Sequence, residues 1–114
     1  MILVIGGHAS GKREYVKSIG YSEIDISSDV SDDRPVLYGL ERIVDNDPAG
    51  SIDLLPSLLK KEIVVCDEVG SGIIPLEREN RESREAAGRL CIELAKSAIK
   101  VVRLVAGIHS VIKG

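Results

Sequence analysis

The sequence predicts a three-layer α/β domain, a mainly parallel sheet flanked by helices. Three observations carry this. Short apolar runs, Ile2-Leu3-Val4-Ile5 and Ile63-Val64-Val65-Cys66, have the form of strands buried on both faces. Segments with helical periodicity separate such runs, and strands alternating with helices specify a parallel sheet with crossover helices. The whole chain, residues 1–114, has the usual length of one domain.

Taken in order, the first run is stopped by Gly6-Gly7, and Lys12 to Ile19 reads as a helix. Ile24-Asp25-Ile26 reads as a second short strand entering an acidic polar loop, Ser27 to Asp33. Beyond Pro35, the positions Leu37, Leu40, Ile43 and Val44 recur at helical intervals until Asp45 to Gly50 breaks the pattern. Ser51 to Lys61 looks like a further helix, with Ser51 as candidate N-cap and Pro56 a weak point in its interior. Ile63 to Cys66 is the third strand, with Asp67-Glu68 at its carboxyl end before a glycine-rich turn, Gly70-Ser71-Gly72. From Glu79 to Ala98, the residues Ala86, Ala87, Leu90, Cys91, Leu94, Ala95 and Ala98 form a stripe at 3.6-residue spacing, an amphipathic helix. Val101 to Val105 closes the series as a strand.

Composition narrows the function. With 44% apolar and 29% charged residues the chain can build a core, and with 3% aromatics, all Tyr, that core is aliphatic. Few aromatics and a formal charge of -3 leave neither stacking platforms nor a basic field, which argues against nucleic acid as a partner. No apolar run approaches the roughly 20 residues that span a bilayer, so membrane insertion is not expected. Cys66 and Cys91 lack metal-ligand spacing and read as paired core thiols of a reducing, cytoplasmic compartment.

The segment Gly6-Gly7-His8-Ala9-Ser10-Gly11-Lys12-Arg13 lies between the first strand and the first helix, the context that gives G-x-x-x-x-G-K its meaning as a phosphate-binding loop. Such a loop turns successive backbone N–H groups toward one concavity, and Lys12 adds a point charge for the β- and γ-phosphates. The fold expected is therefore that of the P-loop nucleotide hydrolases, with GTP or ATP as substrate. Arg13 stands where such loops carry a Ser or Thr whose hydroxyl holds Mg2+. Arg13 contacts phosphate or is simply an exposed helix residue, and Ser10 is the remaining hydroxyl within the loop. Asp67 and Glu68, at a strand end, are the catalytic candidates beside Lys12 and could bind a metal ion through water. His8 and His109 have no Cys, Ser or second His placed for nucleophilic or metal chemistry and read as structural.

The phosphate loop, together with Asp67-Glu68-Val69-Gly70-Ser71-Gly72-Ile73-Ile74-Pro75 and Arg84-Glu85-Ala86-Ala87-Gly88-Arg89, closely resembles the adenosylcobinamide kinase / adenosylcobinamide-phosphate guanylyltransferase family of cobalamin biosynthesis. Gly107-Ile108 and Ile112-Lys113 extend the match; Ser27-Ser28 and Arg34-Pro35 are fainter echoes. The resemblance implies an enzyme that phosphorylates adenosylcobinamide, a corrinoid, and then transfers GMP from GTP through a guanylylated histidine. It also implies a homo-oligomer and adds Ser27 and Ser28 to the nucleotide-binding candidates. Here the segment between the second strand and Arg34-Pro35, where the accepting histidine belongs, is short and contains no His. Guanylyl transfer is therefore in doubt. The alternative is a nucleotide-binding module that has lost catalysis and acts as a regulatory or assembly partner.

Overall fold

The apolar runs of β-branched and leucine residues form the central strands, and six strands assemble into one sheet. The computed structural model describes residues 1–68 and 78–114, so the expected glycine turn at 70–72 lies outside the described residues. In chain order the elements are β1 (Ile2–Gly6), α1 (Lys12–Ser18), a 3-10 turn (Glu23–Asp25), β2 (Ile26–Ser27), β3 (Val36–Tyr38) and α2 (Leu40–Asn46). A second 3-10 turn (Ser51–Leu54), α3 (Leu55–Leu59), β4 (Ile63–Asp67), α4 (Arg78–Ser97), β5 (Lys100–Val105) and β6 (Ile108–Lys113) follow. The strand order is β2-β3-β4-β1-β5-β6, parallel throughout except for β6.

Side chains alternate across the sheet, so each strand supplies both faces. Leu3, Leu37, Val64, Cys66 and Val101 pack under α2, α3 and α4 against Leu40, Val44, Leu58, Leu90 and Leu94. Val4, Val36, Ile63, Val65, Val102 and Leu104 face the other way, with Val16 of α1. Both layers are nearly dry, and the interior β1 pairs on each side with a parallel neighbour. Its register sets Gly6 opposite Asp67 on one side and Leu104 on the other, which brings three strand ends together at the carboxyl edge.

Several elements differ from the sequence reading. Leu37 belongs to β3 rather than to the following helix: Val36 to Tyr38 pairs parallel with β4, and the helix starts only at Leu40. Gly39, at φ 81°, makes the corner between them, a conformation that costs glycine nothing. Glu23 to Asp25 is a 3-10 turn, because a capping box ties the Ser22 N–H to the Asp25 carboxylate at 2.9 Å, and the strand begins only at Ile26. The helix expected over 51–61 is split. Ser51 is not its N-cap: the Ser51 hydroxyl donates to the Pro48 carbonyl at 2.8 Å, and Pro56 falls in the first turn of α3, where its missing N–H is harmless. β6 was not anticipated. Ala106 (φ 49°) and Gly107 (φ 78°) form a two-residue turn with both φ positive, which matches strand twist and folds β6 back on β5.

Candidate functional site

The loop after β1 is shaped by what cannot fit there. A Cβ on Gly6 would lie 2.4 Å from Ser10 Oγ and 2.8 Å from the Leu104 carbonyl, so only glycine allows β1 to pass beneath the loop. Gly11 has φ +96° and would also press a Cβ to 3.2 Å from Gly107 Cα. The Ser10 N–H donates to the Gly7 carbonyl at 3.2 Å, and Gly107 N–H donates to the Ser10 carbonyl at 2.9 Å, so the β5–β6 turn buttresses the loop from behind. Ser10 Oγ is buried and has no hydrogen-bond partner among the described residues.

Lys12 is almost wholly buried within this loop. Its ammonium donates to the carbonyls of Gly7 (2.6 Å) and Gly6 (3.3 Å) and pairs with Asp67 Oδ1 at 2.7 Å. A buried ammonium must be compensated, and here one carboxylate and two carbonyls do so. Asp67 is held in turn: its N–H donates to Glu41 Oε1 of α2 at 2.9 Å, and its second oxygen lies 3.6 Å from His8 Nδ1. The next residue continues the ladder, with Glu68 N–H donating to the Gly6 carbonyl at 2.7 Å. Arg103 of β5 donates from Nε to the Glu68 carboxylate at 3.1 Å.

Two hollows flank the loop. One, of about 360 Å³, lies toward β5 between Gly7 to Ser10, Glu68, Arg103 and Leu104 to Ala106. The other, of about 290 Å³, is bounded by Ala9 to Glu14 and by Tyr38 at the end of β3. In its wall the Arg13 guanidinium stacks 4.5 Å over the Tyr38 ring and donates from Nη1 to Glu23 at 2.5 Å. Glu23 accepts from Lys17 as well, and these two cations, Lys17 foremost, hold its carboxyl below the usual carboxylate range.

The structure divides the expected site residues between the two hollows: Gly7, His8, Ala9, Ser10 and Glu68 border the one toward β5, and Ala9, Ser10, Gly11, Lys12 and Arg13 border the other, while Asp67 joins them through its ion pair with Lys12 and Gly6 lies at the end of β1 opposite Asp67. Ser27 and Ser28 do not join them. Ser27 donates to Asp32 Oδ2 at 2.9 Å and accepts from the Asp29 N–H at 3.0 Å, inside the acidic loop, and neither serine borders either hollow. Tyr38, Glu41, Glu23 and Arg103 escaped the sequence reading. Arg103 had left a trace, as the one charge within the run Val101 to Val105; Tyr38, before a glycine at a strand end, had left a weaker one.

In the core layer between the sheet and α4, Cys66 and the partly buried Cys91 are neighbouring free thiols, as core pairing suggested. The hydrogen bond to Cys91, then burial, push the Cys66 thiol up, whereas the same bond lowers Cys91.

For Mg2+, the cation that phosphate loops ordinarily use, the donor set does not fit. The residue after the lysine is a guanidinium instead of a hydroxyl, and Asp67 and Glu68 are each engaged by a cationic side chain. Ser10 Oγ lies against Gly6, and no cluster of three or more metal-ligating side chains occurs among the described residues.

No helix among the described residues is long and apolar enough to cross a membrane. A sequence profile of the cobinamide kinase / cobinamide phosphate guanyltransferase family matches residues 27–112, from β2 into β6. Comparison with curated proteins gives no match.

Proposed function

Because the chain belongs to the cobinamide kinase / cobinamide phosphate guanyltransferase family of cobalamin biosynthesis, we propose that it is a nucleotide-dependent kinase. It transfers the γ-phosphate of GTP or ATP to a hydroxyl of adenosylcobinamide. The observation that carries this reading is Lys12, buried in a glycine-shaped loop and pinned to Asp67 at the adjoining strand end. A bound triphosphate would exchange the Gly6 and Gly7 carbonyls for phosphate oxygens on the same ammonium, so the charge is already in place and needs little reorganisation. Backbone amides of the loop complete the cradle.

In the transfer itself, the acceptor hydroxyl gives its proton to Glu68 as its oxygen attacks the γ-phosphorus. The bond from that phosphorus to the β–γ bridging oxygen breaks, and the nucleoside diphosphate leaves. Positioning and charge neutralisation supply most of the rate. Asp67 orients Lys12, and Arg103 orients Glu68. The test is transfer of radiolabel from γ-labelled GTP or ATP to adenosylcobinamide: labelled cobinamide phosphate supports the reading, and no product with either nucleotide overturns it.

The guanylyl-transfer half has no nucleophile in this reading. The chain's two histidines are His8, 87% exposed beside Asp67, and His109, whose ring centroid lies 5.1 Å from that of Tyr15. Incubation with α-labelled GTP should leave no acid-labile protein–GMP adduct, and mass spectrometry locating one on either histidine would restore that activity. A second reading, a nucleotide-binding module without turnover, is favoured by Arg13 and by the missing accepting histidine; nucleotide binding without phosphate transfer would select it.

A further inference from the structure

Arg13 occupies the position at which phosphate-binding loops place their metal-holding hydroxyl, and its surroundings give it a definite geometry. The guanidinium is clamped between the Tyr38 ring, 4.5 Å away, and the Glu23 carboxylate. Tyr38 comes from β3 and Glu23 from the 3-10 turn after α1, so two separate parts of the fold converge to hold this side chain. The same guanidinium borders the hollow formed by Ala9 to Glu14 and Tyr38, one residue from the buried ammonium of Lys12. Arginine presents five N–H donors in a rigid planar fork, and the Glu23 contact engages only Nη1. The remaining donors suit the paired oxygens of a phosphate, which arginine binds bidentately.

A magnesium ion in a phosphate loop does two things: it neutralises the β- and γ-oxygens and it fixes their orientation. A held guanidinium can do both without inner-sphere ligands. Resting on the kinase reading above, we infer that Arg13 takes the place of the metal ion in this protein, so that the triphosphate of GTP or ATP is bound without Mg2+, its oxygens shared between Lys12, Arg13 and the loop amides. Glu23 and Tyr38 act as positioning residues for that guanidinium. The carboxylates facing the site, Asp67, Glu68 and Glu23, are then all engaged by cationic side chains of the protein, as they are in the structure.

The experiment is calorimetric titration of GTP and of ATP into the full chain, in millimolar Mg2+ and in excess EDTA, for the natural protein and for Arg13→Ser and Arg13→Lys. Expected for the natural protein is a Kd that changes less than about threefold on chelation. Arg13→Ser, which restores the hydroxyl, should bind about tenfold or more tightly with Mg2+ than with EDTA, and Arg13→Lys should stay metal-indifferent with weaker affinity. Circular dichroism of the variants establishes that they fold. Natural protein that loses about tenfold or more of its affinity in EDTA overturns the inference while leaving the nucleotide reading intact. Binding of neither nucleotide in either buffer overturns the nucleotide reading itself, and this inference with it.

Discussion

Lys12, at the carboxyl edge of the sheet, and Lys61, just before β4 at the amino edge, are both buried, yet their ammonium groups are held in different ways. Lys61 donates to the main-chain carbonyls of Asp32 (2.5 Å) and Arg34 (2.8 Å), both in the connection from β2 to β3. One ammonium thus ties two points of that connection to the start of β4, and the lysine acts as a strap. Lys12 also meets two carbonyls, but they belong to its own loop, whose glycines hold it open, and its third partner is a carboxylate at a strand end. Burial of a lysine is thus no sign of a site by itself; what distinguishes Lys12 is its carboxylate partner and its place in a glycine-shaped loop, where, on the function proposed above, a ligand's oxygens would replace the two carbonyls. Size misleads similarly. The hollow beside Lys61, at about 420 Å³, is larger than the one beside Arg13, at about 290 Å³, and is lined by the strap and its loop.

This contrast can be broken by substitution. Lys12→Ala should lower phosphate transfer by about 10²-fold or more and weaken nucleotide binding, with an unchanged circular dichroism spectrum. An unaltered rate would remove the loop from the chemistry. Lys61→Met should do the reverse: urea unfolding should report a loss of about 2–3 kcal/mol, the cost of leaving two buried carbonyls without a charged donor, while nucleotide affinity is retained. If Lys61→Met also abolished nucleotide binding, the two edges of the sheet would not be separable.

The amino edge has a smaller, pH-readable contact. Tyr21 donates to Glu62 Oε1 at 2.7 Å, and that hydrogen bond, with some burial and the carboxylate's charge, pushes the phenol from 10.0 up to about 12. A folded pKa above the unfolded one means the contact's stabilisation is complete below pH 10.0 and fades as pH rises through about 12. Absorbance titration should show one phenol ionising near pH 12 that Tyr21→Phe removes. Ionisation of that group near 10.0 would mean the Glu62 contact is not made.

How much was legible in advance depended on how local the signal was. The glycine-shaped loop after β1, β1 itself, β4 and α4 were readable because each is written in contiguous residues: an apolar run, a glycine spacing or a helical stripe. β3 was not, because Leu37 satisfies a helical spacing to Leu40 and a strand spacing equally, and pairing with β4 decides between them. β6 was obscured because its residues are exposed, so no buried face marks its alternation. Ser27, suggested by resemblance, turned inward to Asp32, a partner five residues on that only the folded loop reveals.

The sequence by itself determined the class of fold, the glycine spacing of the loop that holds Lys12 and the presence of an arginine rather than a hydroxyl residue at position 13, since these follow from residue type and near-neighbour spacing. Tertiary structure alone decided that Arg13 would meet Tyr38 and Glu23, that Glu68 would meet Arg103, and that one buried lysine would face a hollow beside the loop while another straps a connection. The physical reason is range. Backbone propensity and periodicity act over a few residues, whereas the partner of a charge is set by parallel pairing that brings together strand ends tens of residues apart.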